Sequence, residues 1–150
     1  MKRRRLAREA IANAPPRVNK MNAKRVELEG HWFDSKIEAT AYVYLRNLEA
    51  KGDIRSLKVH PFWYFKHPVN DEYLRIRSAR YKGGRKVRYT ADFSFIDGDG
   101  FQAWDVKGMD TGESRLRRAL LELFHGISVK VVRREDLRGA DRLSLPKVPR

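Results

Sequence analysis

The sequence predicts an α/β (α+β) fold, a mixed sheet flanked by helices in the order helix, several strands, helix, strand. Three observations predict it. Ile37, Ala41, Tyr44, Leu45 and Leu48 recur at helical spacing. Val87, Tyr89, Ala91, Phe93 and Phe95 alternate with Arg88, Thr90, Asp92 and Ser94 along the clearest strand in the chain. Leu116, Ala119, Leu120, Leu123 and Phe124 are expected to point inward from a second amphipathic helix, and an apolar run follows it.

Each element has a local reason. Residues 1–25 carry nine Lys and Arg opposed only by Glu9, and Pro15-Pro16 breaks any helix begun there. That composition predicts a solvated basic arm that can order on a phosphate backbone. Residues 26–33 read as a short strand or ordered lead-in. Asp34-Ser35 offers an N-cap and Gly52 a C-cap, which bounds the first helix at 35–51. Residues 54–65 are β-branched and aromatic, with Pro61 marking an edge or bend. Residues 68–72 form a turn, 73–80 a further strand around Leu74 and Ile76, and Gly83-Gly84 a loop. The strand 87–96 runs into Asp97-Gly98-Asp99-Gly100, a strong hairpin signal, and 101–107 return. The second helix spans 113–125, Gly126 ends it, and 127–132 are a final strand. The globular domain is therefore 26–137, followed by a basic tail, 138–150, with Pro146 and Pro149.

Composition narrows the function. The chain has 150 residues, which is one domain, and 41% are hydrophobic, enough for one core. Lys and Arg number 33 against 19 Asp and Glu, a formal charge of +14. With no cysteine, a disulfide scaffold, a Cys nucleophile and a zinc-thiolate site are excluded. No apolar run approaches a membrane span, and the basic N-terminus lacks the apolar core of a secretory signal. The expectation is a soluble, cytoplasmic protein with no membrane partner. A polyanion, foremost a nucleic acid, is the natural ligand for such a field.

The hairpin permits a geometric deduction. If Asp97 pairs with Gly100, Asp92 lies opposite Asp105, and Lys107 lies opposite Thr90 on the same face. Two facing carboxylates repel, and a bound cation turns the repulsion into coordination. Oxygen ligands without Cys or clustered His suit Mg²⁺ or Mn²⁺. A bulge at the turn would instead send one Asp to the other face. Glu38, one position off the apolar stripe of the first helix, is the candidate third acid. Ser35-x-x-Glu38 is also a capping box, and a metal-bound Glu38 would cap poorly. His31, His60, His67 and His125 show no metal-ligand spacing; His125 reads as helix-terminal and the others as incidental. Trp32, Trp63, Tyr64 and Trp104 read as core rather than as base-stacking platforms. Arg75, Arg77, Arg80, Lys82, Arg85, Lys86 and Arg88 run unbroken by any acid into the Asp92 strand. Arg115, Arg117 and Arg118 follow on the second helix. A one-signed run beside an acidic pocket suits a groove for a DNA backbone.

Together these residues resemble the PD-(D/E)XK nuclease superfamily. The resemblance rests on Ser35-Lys36-Ile37-Glu38, on Tyr89-Thr90-Ala91-Asp92-Phe93, and on Asp105-Val106-Lys107-Gly108. Within it the chain looks most like phage endonuclease I-type Holliday-junction resolvases and a small related phage family of uncharacterised proteins. The resemblance covers about residues 33–132 and implies a restriction-endonuclease-like αβββαβ core. It also implies that Glu38, Asp92 and Asp105 ligate Mg²⁺ (or Mn²⁺), and that Lys107 holds the attacking water and offsets transition-state charge. Ala91 stands where the family commonly has Pro, a structural position. The expected activity is Mg-dependent endonucleolytic hydrolysis of DNA, aimed at branched DNA, by a phage-encoded enzyme that is a possible homodimer. The alternatives are a non-catalytic basic nucleic-acid binder on a degraded nuclease fold, and a restriction- or repair-type nuclease acting on duplex or single strands.

Overall fold

The computed structural model describes residues 24–79 and 81–138. The expected arm before residue 24, Arg80, and the expected tail beyond residue 138 lie outside the described residues. Glu29 (φ 50°) and Gly30 (φ 80°) form the turn that joins β1 (Val26–Leu28) to β2 (His31–Phe33). The first helix, α1, spans Lys36–Lys51 with Ser35 as N-cap and Gly52, at φ 83°, as C-cap. Its buried face, Ala41, Tyr42 and Leu45, packs on Phe33, Phe93, Phe95 and Val106.

The central sheet contains β3 (Arg55–Val59), β8 (Phe93–Asp97), β9 (Gly100–Val106) and β10 (Val129–Val132) in the order β10-β9-β8-β3. It is mixed: β10 runs parallel to β9, and the other neighbours are antiparallel. A parallel neighbour requires a crossover, supplied by the second helix, α2 (Gly112–His125). The hairpin register follows the expectation from Asp97↔Gly100 through Phe93↔Trp104. Asp97 Oδ1 accepts the Asp99 N–H at 2.9 Å, which closes the turn.

Two expected strands break at the same level. Residues 54–65 divide into β3 and β4 (Phe62–Tyr64), and 87–96 divide into β7 (Arg88–Thr90) and β8. The breaks fall at His60-Pro61 and Ala91-Asp92. There the His60 N–H donates to the Asp92 carbonyl at 2.9 Å, and the Ala91 N–H to the Pro61 carbonyl at 3.0 Å. The two strands therefore bend as a pair, and β4 and β7 form their own two-stranded sheet. Pro61 has no N–H to extend a ladder, and His60 absorbs the bend at φ 51°. Gly83-Gly84 is not a loop. It lies within β6 (Tyr81–Lys86), which pairs with β5 (Arg75–Ser78) as a ribbon. Gly84 sits at φ 75°, and a Cβ there would meet the Arg75 Cβ at 3.3 Å, so a side chain would be strained and would press on Arg75.

Tyr89, Ala91, Phe65 and Leu121 form a second buried cluster beneath α2. Leu121 is fully buried there, whereas Leu116 and Leu123, expected to point inward, are 62% and 78% exposed, because the helix turns Leu120 and Leu121 toward the cluster instead. Leu121→Ala is expected to lower unfolding free energy by about 2–5 kcal/mol, read by denaturant titration. A loss under ~1 kcal/mol would mean that α2 is not anchored through this residue. No described helix is long and apolar enough to cross a membrane.

Candidate metal centre

Glu38 projects from the first turn of α1. The Ser35 Oγ accepts the Glu38 N–H at 3.2 Å, and the Ser35 hydroxyl donates to Glu38 Oε1 at 3.1 Å. Glu38 Oε2 accepts the Asp34 N–H at 3.0 Å. The carboxylate therefore does cap, but through the Asp34 amide rather than that of Ser35. Each carboxylate oxygen has a second lone pair, so capping leaves acceptor capacity toward the sheet. Burial, ahead of the nearby Asp34 and Asp105 charges, raises the Glu38 pKa against its two hydrogen bonds.

Asp92 stands at the β7–β8 break. Its N–H still donates to the Trp104 carbonyl of β9 at 3.1 Å, and its Oδ2 reaches further along β9 to accept the Val106 N–H at 2.7 Å. Burial first, and the Glu38 charge second, push its pKa up to about 7. Asp105 is 4% exposed. The Tyr89 hydroxyl donates to its Oδ2 at 2.5 Å, and the Lys107 Nζ lies 3.4 Å from the same oxygen. Lys107 Nζ also donates to Ser114 Oγ on α2 at 2.7 Å. Burial pushes the Tyr89 pKa well up, so Tyr89 remains a proton donor to Asp105 at any working pH.

The tightest grouping differs from the expected one. Ligand atoms of Glu38, His60 and Asp92 lie within 4.8 Å of one another. Asp105 stands beside this group, close enough for its charge to raise the pKa of both Glu38 and Asp92. The reason is local: Asp92 is turned onto the Val106 amide, while Tyr89 and Lys107 hold Asp105. His60, expected to be incidental, enters because the β3–β4 bend swings it over the Asp92 backbone. His60 is exposed as a residue, yet its ring centroid lies 6.0 Å from that of Phe33, and lost hydration lowers its pKa. The only sequence signal was a His-Pro step between two apolar runs.

The expected DNA-contacting cations separate into groups. Arg85 and Arg88 line a cavity of about 250 Å³ together with Thr90, Asp105 and Lys107. Arg75, Arg77 and Lys82 are exposed on the β5–β6 ribbon, and Lys86 is half-buried at its base. Arg115 is exposed and donates to the Asp110 carbonyl, and Arg117 pairs with Glu113. Arg118 is placed differently from these cations. It grips Asp110 with two hydrogen bonds, at 2.8 and 2.7 Å, and its side chain is 12% exposed. That guanidinium holds the Asp110 carboxyl below its usual range, and its role is to tie α2 to the β9–α2 loop. Among the aromatics, Trp63 and Trp104 pack against the cores as expected. Trp32 and Tyr64 do not: Trp32 is 50% exposed, with Arg25 5.8 Å over its ring, and Tyr64 belongs to neither buried cluster.

A family model described as Protein of unknown function (DUF1064) matches residues 18–135. The chain belongs to the DUF1064 family. No curated protein matches it, and no solved structure does. The DUF1064 match takes in Glu38, His60, Asp92, Asp105 and Lys107 together with both helices.

The donor set of this DUF1064 chain fits a divalent ion. Two carboxylates supply hard oxygen, and the imidazole, its pKa lowered, is neutral and able to ligate at pH 7. Oxygen alone would suit Mg²⁺, whereas the imidazole shifts the preference toward Mn²⁺. His60→Ala is expected to weaken Mn²⁺ binding about ten- to a hundredfold while changing Mg²⁺ binding less. Calorimetric titration with each metal measures this, and an unchanged Mn²⁺/Mg²⁺ ratio would remove His60 from the ligand set.

Proposed function

We propose that this DUF1064 chain is a metal-dependent endodeoxyribonuclease of the PD-(D/E)XK type, hydrolysing DNA phosphodiesters at branched structures such as four-way junctions. The observation that carries the reading is the convergence of Glu38, His60 and Asp92, with Asp105 and Lys107 alongside, next to a cavity bordered by Arg85 and Arg88. Glu38, Asp92 and His60 would hold the ion, with Asp105 beside them. A bound divalent ion supplies Lewis-acid neutralisation of the phosphate and a lowered pKa for water.

The remaining work falls to side chains. Tyr89 fixes the orientation of Asp105, and Ser114 fixes the Lys107 ammonium 3.4 Å from it. Lys107 thus presents a preorganised positive charge where a phosphate gains negative charge as water adds and the P–O bond breaks. The Arg75, Arg77 and Lys82 side chains of the ribbon, with Arg85 and Arg88 nearer the centre, suit the phosphates flanking the scissile one. A homodimer would let two strands be cut symmetrically, and a phage-encoded enzyme would act in the host cytoplasm.

The competing reading is a non-catalytic basic binder, and the hydrogen bonds that engage Glu38 in capping favour it. The two are separated by a nicking assay with Mn²⁺ and Mg²⁺ on a four-way junction, plain duplex and single strand. Cleavage of the junction that is abolished by EDTA supports the nuclease. Salt-sensitive binding without cleavage in either metal leaves the binder.

A further inference from the structure

The outer face of the β4–β7 sheet carries a run of rings and cations that neither core uses. In β4, Trp63 turns inward, opposite Tyr89, and Phe62 and Tyr64 turn outward. The register Phe62↔Thr90 and Tyr64↔Arg88 places Thr90 and Arg88 on that same outer face. Phe62 is a large apolar side chain that is 50% exposed. Its centroid lies 5.4 Å from Tyr64, and Tyr64 lies 5.3 Å from Tyr73, which is 38% exposed.

Cations interleave with the rings. The Arg88 guanidinium lies 4.8 Å from the Phe62 centroid. Lys86 Nζ lies 3.8 Å from Tyr73 and 5.4 Å from Tyr64. Lys66 Nζ lies 5.3 Å from Tyr73 and is held by Asp71. One end of the run shares cavities with residues of the candidate site. Phe62 lines an open cavity of about 810 Å³ together with His60, and Arg88 lines the smaller cavity containing Asp105 and Lys107.

We infer that Phe62, Tyr64 and Tyr73, with Arg88 and Lys86, form a stacking platform for an unpaired DNA strand leading to the metal centre. Neighbouring rings meet edge to face, at 74° and 73°, so an unpaired base would stack on the exposed part of Phe62 or Tyr73 rather than between rings, and the cations offer charge to the flanking phosphates. A paired duplex presents only phosphates and groove edges to such a surface, so the rings discriminate between strand states rather than sequences. In assigning the unpaired arm of a branch point as the feature recognised, the inference rests on the nuclease reading. The binding itself does not depend on that reading.

The test is fluorescence anisotropy of the full chain in EDTA at fixed salt, with a labelled twelve-residue oligothymidylate and a blunt duplex. Phe62→Ala and Tyr64→Ala are each expected to weaken single-strand binding about tenfold, and duplex binding less than about twofold. Phe62→Trp retains affinity and adds indole emission that the oligothymidylate quenches and the duplex does not. Because this variant keeps a large ring, it remains informative if the alanine variants unfold. Equal losses on both ligands, or Phe62→Trp emission insensitive to the single strand, overturns the platform. Selective binding without metal-dependent cleavage leaves the platform standing and removes the nuclease; cleavage with unselective binding does the reverse.

Discussion

On the proposed nuclease reading, Asp92→Asn is expected to lower metal-dependent cleavage on the order of a thousandfold while DNA binding stays equal or tightens. The substitution is close to isosteric, and an amide oxygen can still accept the Val106 N–H that Asp92 Oδ2 accepts at 2.7 Å. The fold around the β7–β8 break is therefore preserved, and only the charge is lost. That charge has two opposed consequences. It would attract a divalent ion, whose contribution of several kcal/mol to transition-state stabilisation in the proposed reaction converts to the thousandfold loss. It also repels DNA and the neighbouring Glu38 and Asp105. Removing it should raise the melting temperature of the metal-free protein at pH 8, where Asp92 is ionised and the repulsion is present. Nicking of supercoiled plasmid and of a four-way junction measures the first effect, and thermal melting in EDTA the second. Wild-type cleavage by the variant, or cleavage unaffected by EDTA, would falsify the assignment of this carboxylate.

Metal binding should be tightly coupled to pH, in a direction set by the same residue. Burial, reinforced by Glu38, places the Asp92 pKa at about 7 in the folded protein, against an ordinary value of 3.8. The folded chain therefore holds a proton that the unfolded chain releases between about pH 4 and pH 7. Stability of the metal-free protein is fully supported by that proton below about pH 4 and is progressively lost as pH rises toward 7. The rise from 3.8 to about 7 corresponds to about 4 kcal/mol. A divalent ion must displace the proton, so affinity should climb about tenfold per pH unit below 7 and level off above it. Mn²⁺ should thus raise the melting temperature little at pH 5.5 and strongly at pH 8. Calorimetry in buffers of different ionisation enthalpy should detect release of close to one proton per ion near pH 6 and almost none at pH 8. Proton release that does not change across this range would show that Asp92 is not the titrating ligand.

The local elements were legible because their causes are local. Ser35 and Gly52 cap α1 as the sequence indicates, and the apolar stripe through Ala41 and Leu45 lies against the sheet. The Asp-Gly turn sets five consecutive pairings of β8 with β9, because a short turn leaves a hairpin one register. That register brings Asp92 and Asp105 to one end of the hairpin, and a sequence reading could go that far. It could not foresee that the ladder stops at Phe93↔Trp104, since nothing between residues 87 and 96 interrupts their alternation. The interruption comes from His60-Pro61, whose backbone pairs with Ala91-Asp92 and bends both strands together.

Arg118 and Phe62 show the same division. In sequence Arg118 is one more cation beside Arg115 and Arg117, and Phe62 one more apolar residue beside Trp63. Charge and hydropathy are properties of a residue, so composition and periodicity disclosed a basic α/β chain with paired acids on a hairpin. Partnership is a property of position in space. Folding joined Arg118 to Asp110, exposed Phe62 beneath Arg88, and set His60 beside Glu38 and Asp92. These groupings depend on how separate sheets bend and meet, and that geometry is a sum of non-local contacts which no single stretch of the chain encodes.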